Sequence, residues 1–354
     1  MANRARTRRR SYLSRSSVPL SHSACDSGHL HGSVPDAPAG LECKPLTRSG
    51  KGDLLDFDVI AQGLQFPEGP IAMNDGSVIL VEIARGTLTR AWNGRTEVIA
   101  HLGGGPNGAA IGPDGAVYVC NNGGFEWRQW KGMLVPSGIA RDYTTGRIER
   151  VNLATGSCER VYDSVNGNRL SGPNDIVFDR QGNLWFTDLG KRFARHRDIS
   201  GLYYARPDGS SITEVSYGYL SLNGVGLSPD EKTVYCNETD TGRLWAFDLV
   251  APGVLDPARE GRGRVVCTLP GQQPLDSLAV EANGHVCAAT IYNGGITIFS
   301  PTGEYEHVAF PDAFTTNICF GGPDMRDAYI TLSGTGRLVK ARWPRSGLTL
   351  NFNA

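Results

Sequence analysis

Phe66-Pro67-Glu68-Gly69-Pro70 opens a layout that the chain then repeats. Seven residues after Glu68 stands Asp75, inside the turn stretch Asn74-Asp75-Gly76, and the apolar run Val78-Ile79-Leu80-Val81 follows. The same order returns at Pro106-Asn107-Gly108 with Asp114-Gly115, and at Pro173-Asn174-Asp175 with Gln181-Gly182. It returns again at Leu222-Asn223-Gly224 with Asp230-Glu231, at Leu275-Asp276-Ser277 with Asn283-Gly284, and at Thr316-Asn317-Ile318 with Asp324-Met325. Glu68, Asn107, Asn174, Asn223, Asp276 and Asn317 therefore share one place in six units, and each carries a carboxylate or an amide. A fixed offset repeated this way marks a repeat architecture.

Working outward, each unit reads as four short strands between turns. In the first, strand A follows Glu68 over 70–73, strand B covers 78–82, strand C 87–92 and strand D 96–100. Later C strands are expected at 147–152, 201–206, 243–248, 295–300 and 337–342, and D strands at 158–163, 212–216, 264–269 and 305–310. The sixth unit lacks a D strand, and 56–61 has the missing pattern. The expected fold is all-β, a six-bladed β-propeller closed by this N-terminal strand. A β-sandwich is the alternative, but it predicts no six-fold offset.

The sequence has 354 residues and a net charge of −1, with no basic stripe in its body, so nucleic acid is not the expected partner. Forty-five glycines suit a chain with many turns. No apolar run approaches the ~20 residues of a spanning helix, so no membrane partner is expected. The eight cysteines show neither a C-x-x-C pair nor a zinc spacing. Cys120, Cys236 and Cys287 lie in apolar runs and read as buried small side chains in a reducing compartment, hence a cytoplasmic protein. Residues 1–52 differ: arginines among serines, with no acid before Asp26 and no apolar signal region. They read as a disordered basic tail or, alternatively, a transit peptide, leaving 53–354 as the propeller domain.

In a propeller, strand A lines the central channel, which brings the six repeat positions together at one mouth. Strand B returns to that height fourteen residues on, at Glu82, Asn121, Asp188, Asn237, Thr290 and Thr331, a polar set expected to stand behind the first. Loops between B and C strands emerge at the same mouth. The blade-two loop, 122–146, carries Phe125, Trp127, Trp130 and Lys131; the blade-three loop carries Lys191, Arg192, Phe193, Arg195, His196 and Arg197. Loops on a rigid scaffold commonly set specificity. Two carboxylates, Glu68 and Asp276, in one narrow channel repel and are costly to desolvate, and a divalent cation would relieve both problems. All-oxygen ligation suits Ca²⁺, Mg²⁺ or Mn²⁺. The other reading is that the amides bond to backbone and the channel holds water.

Phe66-Pro67-Glu68-Gly69-Pro70, Gly172-Pro173-Asn174-Asp175, Asn223-Gly224-Val225, Asp276-Ser277 and Asn317-Ile318-Cys319-Phe320-Gly321-Gly322, in this order, resemble the gluconolactonase/regucalcin (senescence-marker-protein) family over roughly 56–345. The Asp276-Ser277 pair is similar to the bacterial drug-responsive lactonase branch. The resemblance implies one divalent metal, Ca²⁺ first with Mg²⁺, Mn²⁺ or Zn²⁺ as alternatives, on Glu68, Asn223 and Asp276, with Asn174 in or beside the shell. It implies hydrolysis of a small-molecule lactone, sugar lactones being best known. Gly172-Pro173 replaces a sugar-contacting Arg of the regucalcin branch, which puts an aldonolactone in question. Asp276 is the candidate general base. Asn174, Asn107, Trp127 and Arg192 are candidate substrate contacts.

Other chemistries lack their signatures: there is no G-x-S-x-G elbow, no H-E-x-x-H and no P-loop Lys after Gly103-Gly104-Gly105. Two rivals stay open: a phosphotriesterase-like hydrolase on this scaffold, and a non-catalytic propeller used for binding. The latter has no need of acids at the channel mouth, and fold alone does not decide.

Overall fold

The computed structural model describes residues 44–45 and 55–353. Apart from Lys44 and Pro45, the stretch expected to form a basic tail lies outside the described residues. Those two lie beside the outer strand of blade five, where the Tyr305 N–H donates to Lys44 O at 3.2 Å.

Six antiparallel sheets form the ring, each with four blade strands and blade four with the short extra strand Val254–Leu255, and one 3-10 turn, Pro257–Arg259, is the only helical element among the described residues. Blade one consists of Pro67–Ala72, Val78–Glu82, Thr87–Trp92 and Arg95–His101, hydrogen-bonded in sequence order from the channel outward. Blades two to five keep this order. Blade six is completed by Phe57–Gln62, which pairs with Arg337–Arg342 from Phe57↔Ala341 to Gln62↔Arg337. The closure is the expected one.

Packing explains the strand B runs. Val78, Leu80 and Ala72 of blade one face Tyr329 and Leu338 of blade six; Ile79 and Val81 face Ile111, Val117 and Val119 of blade two. Six such apolar clusters occur, one at each blade junction, so both faces of every inner strand are covered. A strand buried on both faces is apolar continuously rather than in alternation. Cys120, Cys236 and Cys287 are buried and free, as expected, whereas Cys267 is disulfide-bonded.

Two expectations need correction. Strand A of blade one begins at Pro67, so Glu68 sits inside the strand and not before it. The blade-two insertion is a hairpin, Phe125–Trp130 against Met133–Ile139, and not an irregular loop. Its turn residues Lys131 and Gly132 both have positive φ, 48° and 79°, which suits the twist of a tight hairpin.

Beyond the last strand the chain passes beneath the channel. Trp343 Nε1 and Arg345 Nε donate to Glu281 at 2.8 and 2.5 Å, the Leu348 N–H reaches Val280 O at 2.9 Å, and Asn351 Nδ2 donates to Phe178 O at 3.1 Å. Phe352 sets its ring edge-on to Phe178. Residues Leu348 to Asn351 thereby line the lower end of a channel cavity of about 130 Å³.

Candidate functional site

All six inner strands bend where they reach the upper mouth. Their pairing to strand B slips after Glu68, Pro106, Pro173, Leu222, Leu275 and Thr315. In blades two to five the pairs Asn107-Gly108, Asn174-Asp175, Asn223-Gly224 and Asp276-Ser277 each oppose a single strand B residue. Such bulges re-aim side chains and are common beside active sites. The second member is small in three of these four pairs because neighbouring blades nearly touch there. A Cβ on Gly108 would lie 2.5 Å from Asn174 O, and one on Gly224 2.6 Å from Leu278 N and 2.8 Å from Asp276 O.

Asp175 is the exception, and the sequence reading missed its place in the site. It is buried, its Oδ1 accepts from Ile176 N at 3.0 Å, and its Oδ2 accepts from Val225 N across the blade boundary at 3.3 Å. Burial, then repulsion from Glu68, push its carboxyl up to about 8. Burial likewise raises Glu68, opposed by hydrogen bonds from Asn317, Thr316 and Gly69. Asp276 is held well above the carboxylate range by burial and by the charge of Glu68, with a hydrogen bond from Asn223 opposing. Three carboxyls thus face one another, and amides, hydroxyls and backbone N–H groups rather than cations offset the repulsion.

Glu68 and Asn223 both adjoin Asp276, and Asn174 precedes Asp175 on the blade-three bulge. Glu68 Oε2 accepts from Gly69 N at 2.8 Å and from Asn317 Nδ2 at 2.7 Å. Asn317 is therefore a holder of Glu68. Asn223 Nδ2 donates to Thr239 Oγ1 at 3.1 Å, which turns its Oδ1 away from that contact. Asn174 Oδ1 and Asn223 Oδ1 are both buried without a hydrogen-bond partner. A buried carbonyl-type oxygen left unpaired costs about 1–3 kcal/mol, so two in one acidic site leave room for a donor or a cation. Two carboxylates plus two unpaired amide oxygens are an all-oxygen donor set, and the residues fit a hard divalent cation. Asp276 alone of the four keeps an open side.

The strand B set divides. Asn237 Nδ2 donates to Asp276 O at 2.7 Å and Thr331 Oγ1 to Asn317 O at 3.5 Å, both standing behind channel residues as expected. Glu82, Asn121 and Asp188 instead accept from Gln65 N, Gly105 N and Gly172 N, at 2.7, 2.9 and 2.7 Å. They hold the loops that lead into strand A, because those entry N–H groups have no ladder partner.

Among the substrate candidates, Asn107 is buried at the blade-two bulge. Trp127 packs on Phe66 with centroids 5.0 Å apart. Arg192 is exposed on the blade-three loop, where it pairs with Arg197. Lys191 is buried and not part of a solvated loop: Nζ donates to Gly124 O at 3.0 Å and Asn122 Oδ1 at 3.2 Å, and lies over the Phe125 and Tyr143 rings.

A gluconolactonase of Zymomonas mobilis is 26% identical over 298 residues, covering 75% of this chain and 76% of the relative. The lactonase drp35 of Staphylococcus saprophyticus is 27% identical over 251 residues, 70% of each chain. The crystal structure of regucalcin from Agrobacterium tumefaciens, described as a calcium-binding protein, shares the fold with a TM-score of 0.63 at 18% identity, covering 88% of this chain and 99% of its own. The profile of the SMP-30/Gluconolactonase/LRE-like region matches residues 66–334, and the chain belongs to that family.

Proposed function

We propose that this protein is a divalent-metal-dependent lactonase, with Ca²⁺ as the resident ion. The observation that carries the proposal is the pair of unpartnered amide oxygens, Asn174 Oδ1 and Asn223 Oδ1, buried in a channel with Glu68 and Asp276. The gluconolactonase and lactonase relatives supply the reaction class, and the regucalcin neighbour the ion. Glu68, Asn174, Asn223 and Asp276 would hold the ion, which supplies electrostatic stabilisation to the lactone carbonyl oxygen as charge develops there.

The chain's own residues do the rest. Asp276, with its open side, takes the proton of the attacking water and returns it to the ring oxygen as the ester C–O bond breaks. Asn237 fixes the Asp276 backbone, and Asn317 fixes the Glu68 carboxylate. Asn174 orients the substrate.

Two carboxamide variants test this. Binding to the folded state alone raises thermal stability, so Ca²⁺ should raise the Tm of the wild type and chelation should lower it. Glu68→Gln should need more metal but recover turnover at saturation. Asp276→Asn should stay roughly 10²- to 10⁴-fold slow at saturating metal, the usual cost of losing a positioned acid–base group. Equal recovery of both variants removes the base from Asp276, and a Tm indifferent to both metal and chelator removes the ion.

A further inference from the structure

Phe66 stands two residues before Glu68 and is held at φ 57°, a left-handed conformation that bulky side chains rarely adopt. Strain of this kind collects at functional sites and persists only where surrounding structure enforces it. Here Ile83 N donates to Phe66 O at 3.1 Å, and Ala84 N to Gln65 O at 3.1 Å, pinning the turn. The result is to send the Phe66 ring to the rim above the channel. There it meets Trp127 of the blade-two hairpin at 5.0 Å and Phe314 of the blade-six entry loop at 6.1 Å.

The contacts continue in both directions. Trp127 meets Phe125 at 6.0 Å, and Phe314 meets Tyr292 of blade five at 6.1 Å. The hairpin is tied across the mouth by Leu134 N donating to Gly334 O of blade six at 2.8 Å. Five rings from blades two, one, six and five therefore form one continuous arc along the rim. Phe66 is buried, but Phe125, Trp127 and Phe314 stay partly open and Tyr292 is 56% exposed, so the arc keeps an uncovered face. The blade-three loop carries basic groups instead, including the exposed Arg192 and Arg195 and Arg197 paired to Asp240. A polyhydroxylated substrate would find few hydrogen-bonding side chains along the five rings to reward its hydroxyls. An apolar arm would gain from burial there.

We propose that the substrate is a lactone bearing an apolar arm, which lies along the Phe125–Trp127–Phe66–Phe314–Tyr292 arc while the lactone ring sits at the channel mouth. This rests on the lactonase reading and adds the chemical class of the substrate. Trp127 and Phe66 are then specificity-determining residues.

The test is a series on one ring: δ-valerolactone, δ-lactones with alkyl tails of one to five carbons, and glucono-δ-lactone. With the wild type, kcat/KM should rise roughly fourfold per added methylene, the usual effect of burying one, and glucono-δ-lactone should rank below the bare ring. Trp127→Ala should flatten the dependence on tail length, as should Phe66→Leu; Trp127 does not share the positive φ of Phe66, so its variant serves if Phe66→Leu folds poorly. Calorimetric binding of δ-valerolactam and its pentyl derivative, which are not hydrolysed, gives the same comparison without turnover. Hydrolysis with no tail-length dependence, or with glucono-δ-lactone preferred, overturns the apolar arm and leaves the lactonase reading standing. Tighter binding of the pentyl lactam, lost in Trp127→Ala, with no turnover of any lactone, sinks the lactonase reading and retains the apolar arm site.

Discussion

Lys191 offers a quantitative test of how the mouth is built. Its ammonium group is buried with two neutral acceptors and two aromatic faces, and among the described residues no carboxylate lies at ion-pair distance. Burial, opposed by the more distant charges of Asp188 and Asp198, pulls its pKa from 10.5 down to about 7. At pH 9 an unfolded lysine still holds its proton and the buried one has lost it. The unfolded state then binds more protons, and stability must rise with pH across the window from about 7 to 10. The slope approaches about 1.4 kcal/mol per pH unit. With an unfolding entropy near 2.1 cal/mol/K per residue over ~300 residues, that is about 2 °C in Tm per unit. The assay compares wild type with Lys191→Met by thermal and urea unfolding at several pH values. Titrations common to both cancel in the difference, and the cost of stranding Asn122 Oδ1 and Gly124 O appears as a constant offset. The wild-type stability relative to Lys191→Met should grow from about pH 7 to 10. A difference that stays flat there means Lys191 keeps an ordinary pKa, and the reasoning from burial fails.

Three further outcomes follow from the packing. Glu281→Gln, which weakens the contact to Arg345 beneath the channel, should cost about 2 kcal/mol, or ~3 °C in Tm. Gly224→Ala should lower both stability and Ca²⁺ affinity, since its new methyl meets the backbone of Leu278 and Asp276; calorimetry showing unchanged affinity would contradict the close approach of those blades. Phe352→Ala should destabilise by roughly 1–3 kcal/mol through lost burial against Phe178, and hydrogen exchange should quicken in Leu348–Asn351 before any blade strand.

The blades were legible because one polar residue and one turn recur at a fixed offset, and because a ring buries its inner strands on both faces. Glu68, Asn223 and Asp276 followed from that offset. Asp175 did not. Strict alternation places a residue beside Asn174 on the opposite face, and only the bulge turns both toward the channel. A signal was present: the position after each repeat residue is Gly in blades one, two and four, and Asp175 and Ser277 are the polar departures. The hairpin at Phe125–Ile139 does not show in the sequence as a strand pair, because its hydrophobic pattern serves the rim and not a blade core. The run beneath the channel escaped because its partners, Glu281 and Phe178, are far away in sequence.

The pairing of Phe57–Gln62 with Arg337–Arg342 also has a consequence for biosynthesis. The first strand to leave the ribosome must wait for the last. Roughly 280 residues separate Phe57 from Ala341, and at about 5–20 residues per second this strand spends ~15–60 s without its partner. During that time Val59 and its neighbours present an open edge, the kind of surface that recruits foreign strands. A ring of this design therefore carries its greatest risk of misassociation during synthesis, and slowing translation near the end of the message should lower soluble yield more than an equal delay near its start.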